Sequence, residues 1–115
     1  EKKIKIIDDE FRAPTLAEDL SEACINAIIG KSYGIYNTSG PMVMSIYNMV
    51  VEIARHFNFP VQNIQRISSK ILAQKAKRPK FTGLELTKAK KKLNYSPKSF
   101  KESLNLIETQ IKMNK

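Results

Sequence analysis

A chain of 115 residues, 42% hydrophobic and 27% charged, is long enough for one domain with a buried core and too apolar for intrinsic disorder. No apolar run approaches the roughly 20 residues of a membrane helix, and the basic start lacks the apolar stretch of a signal peptide, so the sequence reads as cytoplasmic with no membrane partner. One cysteine and one histidine exclude an internal disulfide framework and the common zinc sites.

The net charge of +9 is unevenly placed. Residues 1–60 hold six Lys/Arg against eight Asp/Glu, a net of −2, whereas residues 61–115 hold fourteen against three, a net of +11. That balance favours an anionic partner, either a phosphate-bearing small molecule or a polymer. The aromatic and glycine patterns of the common RNA-binding modules are absent, which argues against nucleic acid.

The chain opens at Glu1, without Met, directly into the β-branched run Ile4-Lys5-Ile6-Ile7, which predicts a strand entering an acidic turn at Asp8-Asp9-Glu10. Such a start reads as a processed product or a fragment of a longer polypeptide. Thr15-Leu16-Ala17-Glu18 has the form of a capping box after Pro14, and Leu16, Leu20, Ala23, Ala27 and Ile28 then recur at helical spacing until Gly30 supplies a stop. A short strand is expected at Gly34-Ile35-Tyr36-Asn37, breaking at Ser39-Gly40-Pro41. Ser45 is the natural N-cap of a helix with Ile46, Met49, Val50, Ile53, Ala54 and Phe57 on one face, ended by Pro60.

Ile64-Gln65-Arg66-Ile67 reads as a strand and Ser68 to Ala73 as a helical turn, followed by a basic loop, Gln74-Lys75-Ala76-Lys77-Arg78-Pro79-Lys80. Thr87 can cap a short helix to Leu93, and Asn94-Tyr95-Ser96-Pro97 makes a turn. A second capping box, Ser99-Phe100-Lys101-Glu102, opens a last helix with Phe100, Leu104, Ile107 and Ile111 on one side. The expected fold is therefore α/β: a small mixed unit of four to five helices and short strands, residues 1–115 forming a single domain or fragment.

The catalytic inventory is nearly empty. His56 falls at the end of a predicted helix, where a cation suits the dipole, and Cys24 sits inside the first amphipathic helix, where a small buried hydrophobe is expected. Three consecutive carboxylates, Asp8, Asp9 and Glu10, fit a turn exposed to water better than an acid/base pair. The four glycines form no dinucleotide or P-loop pattern, and no tyrosine is followed four residues later by lysine. No catalytic, cofactor-binding or metal-ligating residue is thus assigned. What remains is Arg12, just ahead of a helix start, and the Lys77-Arg78-Pro79-Lys80 loop. A planar fork of donors fits phosphate oxygens, and proline restricts the loop. The loop reads either as such a site or as a solvated basic surface, and Arg12 either as a ligand contact or as a structural partner of Asp8, Asp9 or Glu10.

Three stretches, in order, resemble the extended short-chain dehydrogenase/reductases. Phe11-Arg12-Ala13-Pro14-Thr15 through Asp19-Leu20 is similar to the segment after their substrate loop. Gly34-Ile35-Tyr36-Asn37-Thr38-Ser39-Gly40 is similar to their "G-x-Y-x-x-S-G" strand. Arg78-Pro79 through Lys88-Ala89, with Leu93-Asn94-Tyr95-Ser96-Pro97, is similar to their closing pattern, with Asn94 where Gly is usual. Among the branches the likeness is to dTDP-4-dehydrorhamnose reductase and its relatives, which include a non-catalytic regulatory subunit of methionine adenosyltransferase.

The resemblance implies the C-terminal, substrate-binding part of an NAD(P)-binding Rossmann-type reductase or epimerase whose nucleotide-binding half, with its glycine motif and catalytic Tyr-x-x-x-Lys, is absent. It implies a nucleotide-sugar substrate with Arg78 and Arg12 on its diphosphate. NADPH or NADH is then expected in the full-length protein and none on this chain alone, which by itself should be inactive. The partner implied is the N-terminal Rossmann half. The alternative is a non-catalytic regulatory or interaction subunit of the same fold. Helix faces meant for the absent half would be exposed, so a homo-oligomer is also expected.

Overall fold

The computed structural model describes residues 2–72 and 75–114. Ala73 and Gln74, expected at the end of a helical turn and the start of the basic loop, lie outside the described residues. In chain order the elements are β1 (Ile4–Ile7), β2 (Phe11–Arg12), α1 (Ala17–Ile29), β3 (Met44–Ser45), α2 (Ile46–His56), β4 (Ile64–Ile67), β5 (Phe81–Thr82), α3 (Thr87–Leu93) and α4 (Phe100–Met113), with 3₁₀ turns at Val61–Asn63 and Ser69–Leu72. This is the mixed α/β composition the sequence predicts. Two compact units are formed, one from residues 1–12 and 43–82, the other from 13–42 and 83–115.

In the first unit, β1 and β4 pair in parallel with Ile4 opposite Ile64 and Ile7 opposite Ile67. Isoleucine suits both strands because its branched Cβ packs on a pleated surface. A second sheet has the order β3-β2-β5, with β2 antiparallel to β3 and parallel to β5. Helix α2 packs on β1. Ser45 caps it as expected, its Oγ accepting from Asn48 N at 3.1 Å.

The helix ends before Pro60: Asn58 is left-handed at φ +58°, Phe59 N donates to Ala54 O and Asn58 N to Arg55 O. That is a Schellman motif, and it supplies the stop assigned to proline. The buried face is also rotated from the expected one, resting on Val51 and Ala54 and leaving Ile53 exposed.

The second unit packs α1 against α3. Its core joins Ala23, Leu86, Ala89, Leu93 and Tyr95, with Ala27 and Tyr36 at the border. Tyr95, expected in a turn, is buried, and its hydroxyl donates to Ser39 O at 2.8 Å. Asn26 Nδ2 donates to Leu93 O, satisfying a carbonyl at the end of α3, and Asn94 turns the chain there in the left-handed conformation at φ +51°. Asparagine tolerates that conformation better than other non-glycine residues, which suits it to the end of α3.

Ser99 and Glu102 form the full capping box of α4. Beneath it the buried Asp19 carboxylate accepts from both Lys98 N and Lys98 Nζ, at 2.8 and 2.9 Å.

Several local expectations fail in this unit. Thr15 does not cap α1: its hydroxyl donates to Ala13 O and accepts from Gly40 N, and the cap position falls to Leu16. A Cβ on Gly40 would lie 1.8 Å from Pro14 O, so glycine is required for that approach. Thr87 does not cap α3 either; Glu85 Oε1 accepts from Thr87 N instead. The left-handed residue ending α1 is Lys31, one beyond Gly30.

Residues 34–37 form no strand, because no neighbouring segment offers a ladder. Lys88 Nζ donates to Ile35 O and lies over the Tyr36 ring instead. On α1, Cys24 is exposed and not packed, and Leu20 and Ile28 are exposed too, so the apolar spacing there does not all serve this core.

Candidate functional site

The acidic turn after β1 is a structural hub in the first unit and not a solvated loop. Asp8 N donates to Ile67 O, while its carboxylate accepts from Ser45 Oγ and pairs with Arg66 at 3.3 Å. Asp9 accepts from Ser68 Oγ at 2.9 Å, Ser69 N at 2.8 Å and Ser69 Oγ at 3.0 Å. The Ser69 backbone N–H, aided by the two hydroxyls, holds the Asp9 carboxyl below its ordinary value. Glu10 is only 5% exposed, and its Oε2 accepts from Arg12 at 2.6 Å. Arg12 also donates to Phe11 O. Consecutive carboxylates look like a hydrophilic turn in sequence, but each has a partner brought by a different element.

These residues also frame the basic loop. Ser69, held by Asp9, begins the 3₁₀ turn before it, and Phe11 N donates to Lys80 O at 2.6 Å where β5 is about to pair with β2. Beside them lies a cavity of about 630 Å³ lined by Glu10, Ser69, Lys70 and residues 75–80. Its volume falls within the roughly 300–1,000 Å³ of small-molecule sites. Its lining includes five cationic residues, Lys70, Lys75, Lys77, Arg78 and Lys80, and one acidic residue, Glu10. Among the described residues Arg78 has no ion-pair partner. Such a wall attracts phosphate oxygens, and Arg78 can present two donors at once.

Arg78 therefore lines the cavity. Arg12 takes the pairing with Glu10 that the sequence left open, and reaches the cavity through that wall residue. The sequence did not single out Ser69, Lys70 or Glu10 as part of any site, since only tertiary structure brings them beside the loop.

A dinucleotide cofactor would need a strand, a glycine turn and a helix N-terminus free for its pyrophosphate. The described residues do not fit that need: α2 and α4 are capped by Ser45 and Ser99, the first N–H of α3 is taken by Glu85, and α1, whose cap position Leu16 makes no side-chain bond, is preceded by Pro14 and Thr15 and not by a glycine turn. No cluster of three or more His, Cys, Asp or Glu able to hold a metal exists among the described residues. His56 closes α2 and stacks edge-on against Phe57. No helix among the described residues is long and apolar enough to cross a membrane.

Two solved structures share this fold. A dTDP-4-dehydrorhamnose reductase from Bacillus anthracis, in complex with NADP, matches 96% of the chain with a TM-score of 0.85 and 23% identity. An ortholog from Clostridium acetobutylicum matches 97% with a TM-score of 0.88 and 24% identity. The chain spans only 39% and 40% of those proteins. No curated protein matches at a significant level. The sequence profile of the RmlD substrate binding domain matches residues 1–113, so the chain belongs to the RmlD substrate binding domain family.

Proposed function

We propose that residues 1–115 act as one substrate-binding part of an NAD(P)-dependent reductase or epimerase, that the substrate is a nucleotide-sugar, and that the cavity beside the basic loop takes its diphosphate. The observation that carries this reading is the cavity wall, five cations against one carboxylate, with Arg78 among them. Family membership and the fold shared with two reductases support the reaction class. Arg78 is the principal diphosphate contact; Arg12 supports the site through Glu10. NADPH or NADH and the proton donor belong to a Rossmann half supplied by the rest of a cytoplasmic polypeptide, and the 115-residue chain by itself, with helix faces meant for that half uncovered, associates as a homo-oligomer.

The test is nucleotide-sugar binding by calorimetry in the natural polypeptide. Arg78→Ala should weaken affinity roughly 30-fold, the loss expected of one charge-assisted hydrogen bond. Cofactor affinity should not change. An unaltered nucleotide-sugar affinity would return the loop to a solvated surface. Fluorescence titration of the 115-residue chain with NADPH should show no micromolar binding, and tight binding would contradict the division of labour.

A further inference from the structure

A wall of five cations attracts any polyanion, and so does not by itself select a nucleotide-sugar from the inorganic phosphates around it. The buried carboxylate in that wall is what breaks the degeneracy. Glu10 lines the cavity, is almost fully enclosed, and is fixed by the 2.6 Å bond from Arg12 to Oε2. A carboxylate offers about four acceptor positions, so the Arg12 bond leaves it able to accept from a ligand. Toward a bare polyanion it is a repulsive charge in a sheltered place. Toward a ligand hydroxyl or amide N–H it is a strong acceptor.

We propose that Glu10 is the specificity-determining residue of this cavity, selecting a phosphate ester that carries a hydrogen-bond donor over a bare polyphosphate. The inference rests on the proposed function of the cavity. Repulsion of the wrong ligand and attraction of the right one come from the same side chain, which is how discrimination between similar ligands is commonly built. Arg12 holds the carboxylate in place through that 2.6 Å contact; without that partner a buried charge would be costly.

The test compares dTDP-glucose with inorganic pyrophosphate by calorimetry on the natural polypeptide and on Glu10→Gln. The variant should bind pyrophosphate more tightly and dTDP-glucose less tightly, so that the ratio of the two affinities falls about tenfold, the size expected for one hydrogen bond to a charged acceptor. If Glu10→Gln is poorly folded by circular dichroism, the variant Glu10→Gln with Arg12→Met removes both charges and should show the same fall in ratio. A ratio unchanged, with both ligands still bound, overturns the role of Glu10 alone. Binding of neither ligand by the wild-type protein overturns the cavity reading and this inference with it.

Discussion

The two units are held together by different physics. The helical unit has a contiguous apolar cluster around Ala89, Leu93 and Tyr95, and its buried carboxylate Asp19 is answered by Lys98. The strand unit has short ladders, and its turns are tied by Asp8, Asp9 and Glu10 to residues far along the chain. The cationic cavity lies in the second kind of structure. Polar tethers are directional, so they can hold an exposed loop of like charges at fixed points, which an apolar core cannot do without burying the cations.

The comparison can be broken first at the helical core. Leu93→Ala removes a side chain that is 4% exposed and should cost about 3 kcal/mol of stability in chemical denaturation. A cost near zero would mean that the cluster does not hold the unit together. Asn94→Ala, at the left-handed position ending α3, should cost about 1 kcal/mol because alanine pays a steric penalty there. Asn94→Gly should be tolerated in the same assay, and equal damage from both would locate the effect in the lost side chain.

Smaller effects separate the units by pH. The lowered Asp9 carboxyl favours the folded state above its ordinary 3.8, and that contribution is lost as pH falls through the lowered value. Melting temperatures of wild type and Asp9→Asn should converge in acid; a constant gap would show that the tether is not ionic. Glu18, Glu85 and Glu102 add acid sensitivity in the helical unit, so acid alone does not distinguish the two.

Alkali does. Lys98 is raised by its hydrogen bond and charge pairing with Asp19, and Tyr95 by burial and then by the Asp19 charge. For both, stabilisation is complete below the ordinary values of 10.5 and 10.0 and is lost as pH rises through the raised ones. Lys98→Met and wild type should therefore converge in alkali, and a gap that persists there would contradict the pairing.

What was legible in the sequence was mostly local. Ser45 and the Ser99–Glu102 box act through partners three residues away, and the runs Ile4–Ile7 and Ile64–Ile67 declare themselves by branched side chains. Thr15 shows the same pattern and fails, because Gly40, distant in sequence, takes its hydroxyl. The two-residue strands β2 and β3 are too short for any period to show.

Arg78 could be singled out from its proline neighbour and family pattern. Glu10 could not, although its partner is only two residues away: nothing in an acidic run tells which carboxylate will be buried. Arg12 stands two residues after Glu10 where the chain enters β2, and side chains at i and i+2 of an extended segment share a face, but that spacing names a neighbour without revealing burial.

The most direct test of the cavity is a nuclear magnetic resonance titration of the natural polypeptide with dTDP-glucose, following backbone amides in both units. Saturable shifts at Glu10, Ser69, Lys70 and residues 75–78 are predicted, reduced in Arg78→Ala. Shifts confined to the helices, with those cavity residues unmoved, would contradict a phosphate site on the basic loop.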